Sequence, residues 1–490
     1  MAVTIKNPIS VVKVGGGGGD TPTGNSVIEA YNSGTGEITG SGFGNTKGKI
    51  LMLDRPTNSY IEQTVTTWTP TKITLQTPLD LEHLAGTSCI VAELDDGTYS
   101  TKFVVYGEIG LDGSNVRVYY RKEDGTVGVG SPLNVNYLCF SATAGRFTNY
   151  GEGGGEIFST DILGVEFEKN FNTTLISNFF LRYCQNLCQP VVIPSVVTSI
   201  GKNFLCDNYK FNSPVVLSEN VTTIGESFLM NDYLFNQPVI LPDELTTLGS
   251  TFMYNCRSFN QPIAFPSTLT TIQGGFLANC NAFNSEITFS PNVTNMPGFL
   301  DNAYSFNQPI VIPEGVESLG NNILGSAISF NSSITLPSTL KTIGNAFLGY
   351  GSGCVKFNQP INLPNGLTSI GDAFLSQCRS FDQELVLPSS LTSVGGSFMI
   401  SCTGFRHVLT VPAALTTFGN YFMANQYQMK SLIVEGTNSP TDNYSLSSDN
   451  NNAKSYINGI TLTGAGASTW MTNLPNRTSY PCRKLIDGTA

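Results

Sequence analysis

The side chains able to do chemistry are few, and most recur at one spacing. Cys184, Cys256, Cys280, Cys378 and Cys402 take the same place in copies of a repeated segment. Neighbouring copies would set Cys256 beside Cys280, and Cys378 beside Cys402, at a separation a disulfide can span. The alternative is a column of buried thiols packing as small hydrophobes, and the odd total of eleven cysteines favours it over a disulfide framework. The two histidines, His83 and His407, are far apart, which argues against a histidine metal site or a histidine-dependent triad. His407 replaces a recurrent Gln and is given no chemistry. The run Gly40–Gly44 (GSGFG) has no strand–loop–helix context and no following Lys-Ser/Thr, so it is not a phosphate loop. Asp449–Asn452 (DNNN) lacks the alternating carboxylates of a calcium loop. Acidic residues are scattered and differ between copies. The expectation is therefore no catalytic, cofactor-binding or metal-ligating residue, no cofactor and no enzyme; an unmarked carboxylate pair is the remaining catalytic alternative.

The totals point the same way. Charged residues make up 12% of 490, with 50 glycines and abundant Asn, Thr and Ser, the composition of a β-rich extracellular or structural protein. A net charge of −11 without a basic run argues against a nucleic-acid partner. No window approaches the roughly 18 apolar residues of a membrane span. The opening MAVTIKNPISVVKV is interrupted by Lys6, Asn7 and Pro8 and offers no signal-peptide core, so the expectation is a chain made in the cytoplasm without ordinary export.

What must position any functional surface is a string of β-elements. Residues 1–24 read as a short strand followed by the flexible run Gly15–Gly19, a candidate docking segment on a glycine hinge. Residues 25–108 carry short apolar runs punctuated by Gly, Pro and Asp-Gly, the pattern of a β-sandwich. Within 109–156, alternating runs flank Asp124-Gly125, a hairpin signal, and GEGGGE forms a linker. Residues 157–436 are the repeat array, and 437–490, where the rhythm fails, are expected to cap it.

The repeat reads FNQPIxLPxxLTTIGxxFLxxC. One apolar position recurs at Phe180, Phe204, Phe228, Phe252, Phe276, Phe299, Ile323, Phe347, Phe374, Phe398 and Phe422, at intervals of 24 except one of 23 and one of 27. QPIxLP suits a short strand ended by proline. LTTIG turns a corner, with Gly at the tight position except at Ser177, Gln273 and Met296, so positive φ is not expected to be compulsory there. The xxFLxxC part reads as a short helical or 3₁₀ turn. The Asn and Gln of FNQ are expected to form ladders that satisfy backbone groups. No copy can enclose its own large apolar side chains, each worth roughly 1.5–3 kcal/mol when buried. Stacking is thus a folding requirement, and strands about 4.8 Å apart would give a rod roughly 50 Å long.

Two family resemblances follow. VVIPSVVTSIGKNFLCDN at 191–208 resembles the BspA-type leucine-rich repeat signature IPxxVTSIGxxAFxxC, and NVTNMPGFLDNAYSFNQPI at 292–310 resembles its surface-lipoprotein variant. The resemblance implies a leucine-rich-repeat solenoid of about eleven coils and a role in adhesion or host contact. Gly40, Gly42, Phe43, Gly44, Gly48, Trp68, Ile73, Pro78, Gly86, Val91, Gly97, Ser100 and Phe103 resemble the IPT/TIG immunoglobulin-like family, which implies a spacer or interaction module. The opening IKNPISVVKVGGGGGD also resembles the starts of some prophage-encoded tail-associated proteins. Together these imply a bacteriophage virion protein, a tail fibre or particle-decorating adhesin made in the host cytoplasm. Met1–Val14 would dock on other virion proteins, and the solenoid would meet a host surface glycan or protein. The chain would form a homo-oligomer, a trimer by analogy with other fibres, without membrane insertion. The alternatives are a bacterial cell-surface adhesin of the BspA type, or a capsid or tail stabilising protein that binds no receptor.

Overall fold

The structure, a computed structural model, describes residues 4–6, 27–32, 35–54, 59–77, 87–95, 103–106, 115–122, 125–129, 133–134, 138–140, 146–147, 157–168, 171–426, 428–429, 431–439 and 461–473. His83, Gly15–Gly19 and Asp449–Asn452 lie outside the described residues, as does Met1–Val14 apart from Thr4–Lys6. The chain divides into two compact units, residues 1–244 and 245–490.

In the first unit, short strands make two antiparallel sheets. One has the order β1 (Thr4–Lys6), β2 (Val27–Asn32), β3 (Glu37–Ser41), β7 (Lys72–Leu75), β6 (Val65–Trp68). The other runs β5 (Ser59–Gln63), β4 (Lys49–Asp54), β8 (Thr87–Glu93), β9 (Phe103–Tyr106). Ile28, Ile38, Val65, Ile73 and Leu75 from the first sheet meet Ile50, Ile90 and Ala92 from the second around Phe43, so the two sheets form a sandwich over one core. β1 occupies the sheet edge, pairing Ile5 with Tyr31.

A third sheet follows. β10 (Asn115–Arg121) pairs antiparallel with β11 (Val127–Val129), and also with β12 (Leu133–Asn134). After the short pair β13 (Arg146–Phe147) and β14 (Ile157–Phe158), β15 (Ile162–Phe167) joins β10. This sheet covers the open end of the first coil. Leu181 N–H donates to Leu138 O at 2.8 Å, Phe140 N–H to Phe179 O at 2.9 Å, and Cys188 N–H to Leu163 O at 3.0 Å.

The rest of the described chain is a β-solenoid of about eleven coils shared between the two units. Within each unit, two-residue strands pair in parallel with their counterparts one period on, as Ser199–Ile200 with Thr223–Ile224 and Ser369–Ile370 with Ser393–Val394. Inward Phe rings stack from copy to copy over Phe180–Phe228, Phe252–Phe276 and Phe347–Phe422, with centroids 5.2 Å apart for Phe204–Phe228 and 5.3 Å for Phe374–Phe398. The Phe of FNQ makes a second column, from Phe259–Phe283 at 5.8 Å to Phe381–Phe405 at 6.1 Å. In the second unit the last coils end on Thr461–Thr463, parallel to Ser431–Ile433, and on helix α1 (Ala467–Asn473). Its fully buried Trp470 packs on Phe418 and Phe422.

Two expectations need correction. The xxFLxxC segment is not a helical or 3₁₀ turn. The residues flanking its Phe are left-handed, with φ of 57°, 54° and 64° at Asn203, Leu205 and Asp207, and likewise at Ser397, Met399 and Ser401. A helix would satisfy its amides internally, whereas this alternation sends them to neighbouring coils. Leu205 N–H donates back to Phe180 O at 2.9 Å, while Asn203 and Asp207 donate forward to Glu226 O and Met230 O. Those bonds offset a left-handed cost of roughly 1–2 kcal/mol per residue. The second correction concerns the 23-residue copy. Met296 is a buried strand residue paired with Leu319, which puts Pro297 at the tight position and the deletion after it.

The tight-position glycines Gly201, Gly225, Gly320, Gly344, Gly371, Gly395 and Gly419 have no positive φ. Their reason is close approach: a Cβ on Gly344 would lie 2.6 Å from Gly320 C and O, and one on Gly225 2.7 Å from Gly201 C.

Candidate binding surface

The strand ending LTTIG buries its Ile and turns the preceding residue outward, by the period-2 alternation of a β-strand. In the second unit this sets two adjacent rows of side chains on the surface. One contains Thr246, Thr270, Thr294, Thr368, Thr392 and Thr416, the other Thr247, Thr271, Ser318, Thr342, Ser369, Ser393 and Thr417, all exposed or half-exposed. Several of their hydroxyls are held by the neighbouring coil. Thr342 Oγ1 donates to Ser318 Oγ at 2.7 Å and Ser393 Oγ to Ser369 Oγ at 3.0 Å. In the other row Thr392 Oγ1 donates to Thr368 O at 3.0 Å and Thr368 Oγ1 to Lys341 O at 3.1 Å. Each hydroxyl keeps acceptor lone pairs for a ligand. The array is broken by exposed Asn295 in one row and by the exposed pair Lys341–Glu317, at 2.8 Å, in the other. The first unit continues the theme with Thr198, Ser199, Thr222 and Thr223.

A different face of the first unit is aromatic and charged. Tyr209, 40% exposed, stacks on Tyr233 at 4.8 Å. The Arg182 guanidinium lies 4.4 Å from the Tyr183 ring centroid and pairs with Asp207 at 2.8 Å. Outward aliphatics Val311 and Val386 interrupt the otherwise polar QPIxLP strands of the second unit.

Also at the surface, the FNQ asparagines form the expected ladder. Asn260, Asn284, Asn307, Asn331 and Asn358 each accept, through Oδ1, the backbone N–H of the residue one coil on, at 2.7–2.8 Å. Asp382 continues the ladder to Arg406 N–H. His407 sits 3.0 Å from Asp382 O through Nε2, a structural contact at the Gln position.

The nine cysteines whose side chains are described are free thiols, so Cys256/Cys280 and Cys378/Cys402 are not bridged. The thiols of Cys280, Cys378 and Cys402 point at the coil before. Cys280 Sγ donates to Met253 O at 3.1 Å, Cys378 Sγ to Leu348 O at 3.2 Å and Cys402 Sγ to Leu375 O at 2.9 Å. Burial pushes the Cys280 thiol up to about 12 and raises those of Cys184 and Cys402. These are inert thiols rather than nucleophiles. The column has a member the repeat alignment missed. Cys354 donates to Leu324 O at 3.1 Å, displaced in sequence by the insertion that lengthens its copy, although its 24-residue distance to Cys378 was a usable signal. Among the described residues no group of three His, Cys, Asp or Glu could hold a metal ion, and no helix is long and apolar enough to cross a membrane.

The BspA type leucine rich repeat region family matches six copies over residues 157–236, 222–354 and 331–454. No curated protein matches the chain. Among solved structures, it is similar to a leucine-rich repeat protein from Bacteroides ovatus, at 15% identity and TM-score 0.45 over 78% of this chain and 100% of that one. It is also similar to the pneumococcal vaccine antigen PcpA (13%, TM-score 0.36, 60% and 79%). A third is a leucine rich cell surface protein from Faecalibacterium prausnitzii (15%, TM-score 0.33, 77% and 93%). Nothing in these comparisons supports the immunoglobulin-like family or the phage resemblance read from the N-terminal sequence.

Proposed function

The chain belongs to the BspA-type leucine-rich repeat family, and from that premise we propose that it is a bacterial cell-surface adhesion protein. Its coils present ordered hydroxyl rows to a repetitive polar ligand, a surface glycan by chemistry. The observation that carries this reading is the outward Thr/Ser array of the second unit, several of whose members are held by cross-coil hydrogen bonds before any ligand arrives. Preorganised donors and acceptors lower the ordering cost of binding. Repetition lets individually weak contacts add as avidity. The role is binding rather than catalysis. The sandwich is a spacer in this reading. The virion role expected from the sequence has no support in the comparisons, and β1 of the proposed docking segment lies on the chain's own sheet edge.

Binding of the full chain to immobilised mucin and to isolated bacterial and host polysaccharides tests this. Charged substitutions Thr270→Lys, Thr392→Lys and Thr416→Lys should each weaken binding several-fold, and the triple variant should abolish it while circular dichroism stays unchanged. A triple variant that binds as well as the parent, or a parent that binds no polysaccharide, rejects the proposal.

A further inference from the structure

The thiol column contains an acid. The position held by Cys280, Cys354, Cys378 and Cys402 is occupied by Asn208, Asp232 and Gln426 in other coils. Six polar occupants donate to a carbonyl of the preceding coil at the same place in the register. Asn208 Nδ2 donates to Leu181 O at 2.9 Å, the cysteines donate to Met253, Leu324, Leu348 and Leu375, and Gln426 Nε2 donates to Met399 O. The offset is 27 residues, or 30 across the lengthened copy. The same offset from Asp232 falls on Leu205. That carbonyl accepts one bond, from Asn208 Nδ2 at 2.9 Å, and has a second lone pair free for another.

Asp232 is fully buried. Its Oδ1 accepts the Asn208 backbone N–H at 2.7 Å, and its Oδ2 has no partner. An ionised carboxylate there would set a bare oxygen where those six occupants offer a hydrogen. We propose that Asp232 stands in the column as a neutral carboxylic acid whose Oδ2–H donates to the Leu205 carbonyl, so that its coil tightens in acid and loosens as pH rises.

The surroundings agree. The titratable and charged groups facing Asp232 in this unit are Cys184, Cys206 and Asp207, with Arg182 behind Asp207; the next copy carries Cys256 in the same register. The thiols are held neutral by burial. Arg182 is engaged by Asp207, which also accepts from Asn231 Nδ2 at 2.7 Å. Desolvation first, and the Asp207 charge after it, push the Asp232 carboxyl well above the usual carboxylate range, against one backbone hydrogen bond that lowers it. A carboxyl raised in the fold stabilises fully below its unfolded value near 4, and loses that contribution as pH climbs toward the folded value.

Hydrogen exchange across residues 205–232 of the full chain, corrected for intrinsic rate and followed from pH 4 upward, reads this directly. In the parent, opening of this coil should grow by up to about tenfold per pH unit above pH 4. In Asp232→Asn, which restores a permanent donor, it should be flat, with stronger protection at neutral pH than either the parent or Asp232→Ala. An equal pH slope in parent and Asp232→Asn overturns the proposal, as does Asp232→Asn being no better protected than Asp232→Ala. Infrared spectroscopy of the folded parent near neutral pH supplies a test free of any folding defect in the variants. A protonated-carboxyl stretch that shifts on carbon-13 labelling of aspartate, and that Asp232→Asn removes when folded, is expected. Its absence from the parent overturns the proposal.

Discussion

The sandwich and the coils use the same residue types for opposite purposes, and glycine shows it best. Gly42 and Gly44 of the sandwich have φ of 75° and 73°, and a Cβ on Gly44 would meet nothing within 4 Å. They are glycines for the sake of the turn that carries Phe43 into the core. Gly344 and Gly371 of the coils have ordinary φ and face the backbone of the preceding coil at 2.6–2.7 Å. They are glycines for the sake of a neighbour. The aromatics divide likewise. Phe43 meets Trp68 edge-on at 6.2 Å in a core of its own, whereas Phe357 lies between Phe330 and Phe381, its own counterparts. A sandwich residue has individual partners; a coil residue is paired with copies of itself, so damage to it is felt in at least two coils.

The largest test of that distinction is Phe357→Ala. Truncating a fully buried Phe costs about 3–5 kcal/mol, and here both flanking rings lose a face. Urea denaturation should show the loss, with hydrogen exchange rising in the coils of Phe330 and Phe381 together. Confinement of the effect to one coil would break the comparison.

Gly344→Ala against Gly44→Ala comes next. The coil variant should lose about 3 kcal/mol or more, because a Cβ meets main-chain atoms that can yield only by separating coils. The sandwich variant should lose about 1–2 kcal/mol, from left-handed strain alone. Equal midpoint shifts in urea would show that one mechanism serves both regions.

How much of this was legible in the sequence follows from the same distinction. The solenoid was, because a residue whose partner is its own copy declares the partner in the period. The Asn ladder and the stacked thiols were legible for that reason. The handedness of xxFLxxC was not. Asn203 and Asp207 tolerate positive φ without requiring it, Leu205 does not favour it, and the bonds to Phe180, Glu226 and Met230 select it. The hydroxyl rows were visible as composition, but their outward display depends on which face of a two-residue strand is buried. Cys354 was hidden by an insertion of a few residues. Asp232 looked like any surface acid until its register with the cysteines put it inside.

Asn307→Ala, Asn331→Ala and Asn358→Ala probe the ladder with smaller losses. Each orphans one backbone N–H of the following coil, for about 1 kcal/mol. The three share neighbouring coils, so their combined loss should depart from the sum by more than about 0.5 kcal/mol. Strict additivity in a triple-mutant cycle would mean that the coils are energetically independent at this ladder.

Trp68→Phe is the smallest and isolates the sandwich. Trp68 Nε1–H donates to Phe43 O at 3.1 Å across 25 residues, a span near one coil period but with no copy of either partner. Phenylalanine keeps most of the contact with Phe43 and deletes the donor, which should cost about 1 kcal/mol. The Phe43 carbonyl is next to an open turn at Gly44, where water can take the lost bond, and that sets the estimate at the low end. Hydrogen exchange should rise in β3, β6 and β7 and stay unchanged in every coil of the second unit. Exchange spreading into those coils would mean that sandwich and solenoid share stability, and that repetition is not what confines or transmits damage in this chain.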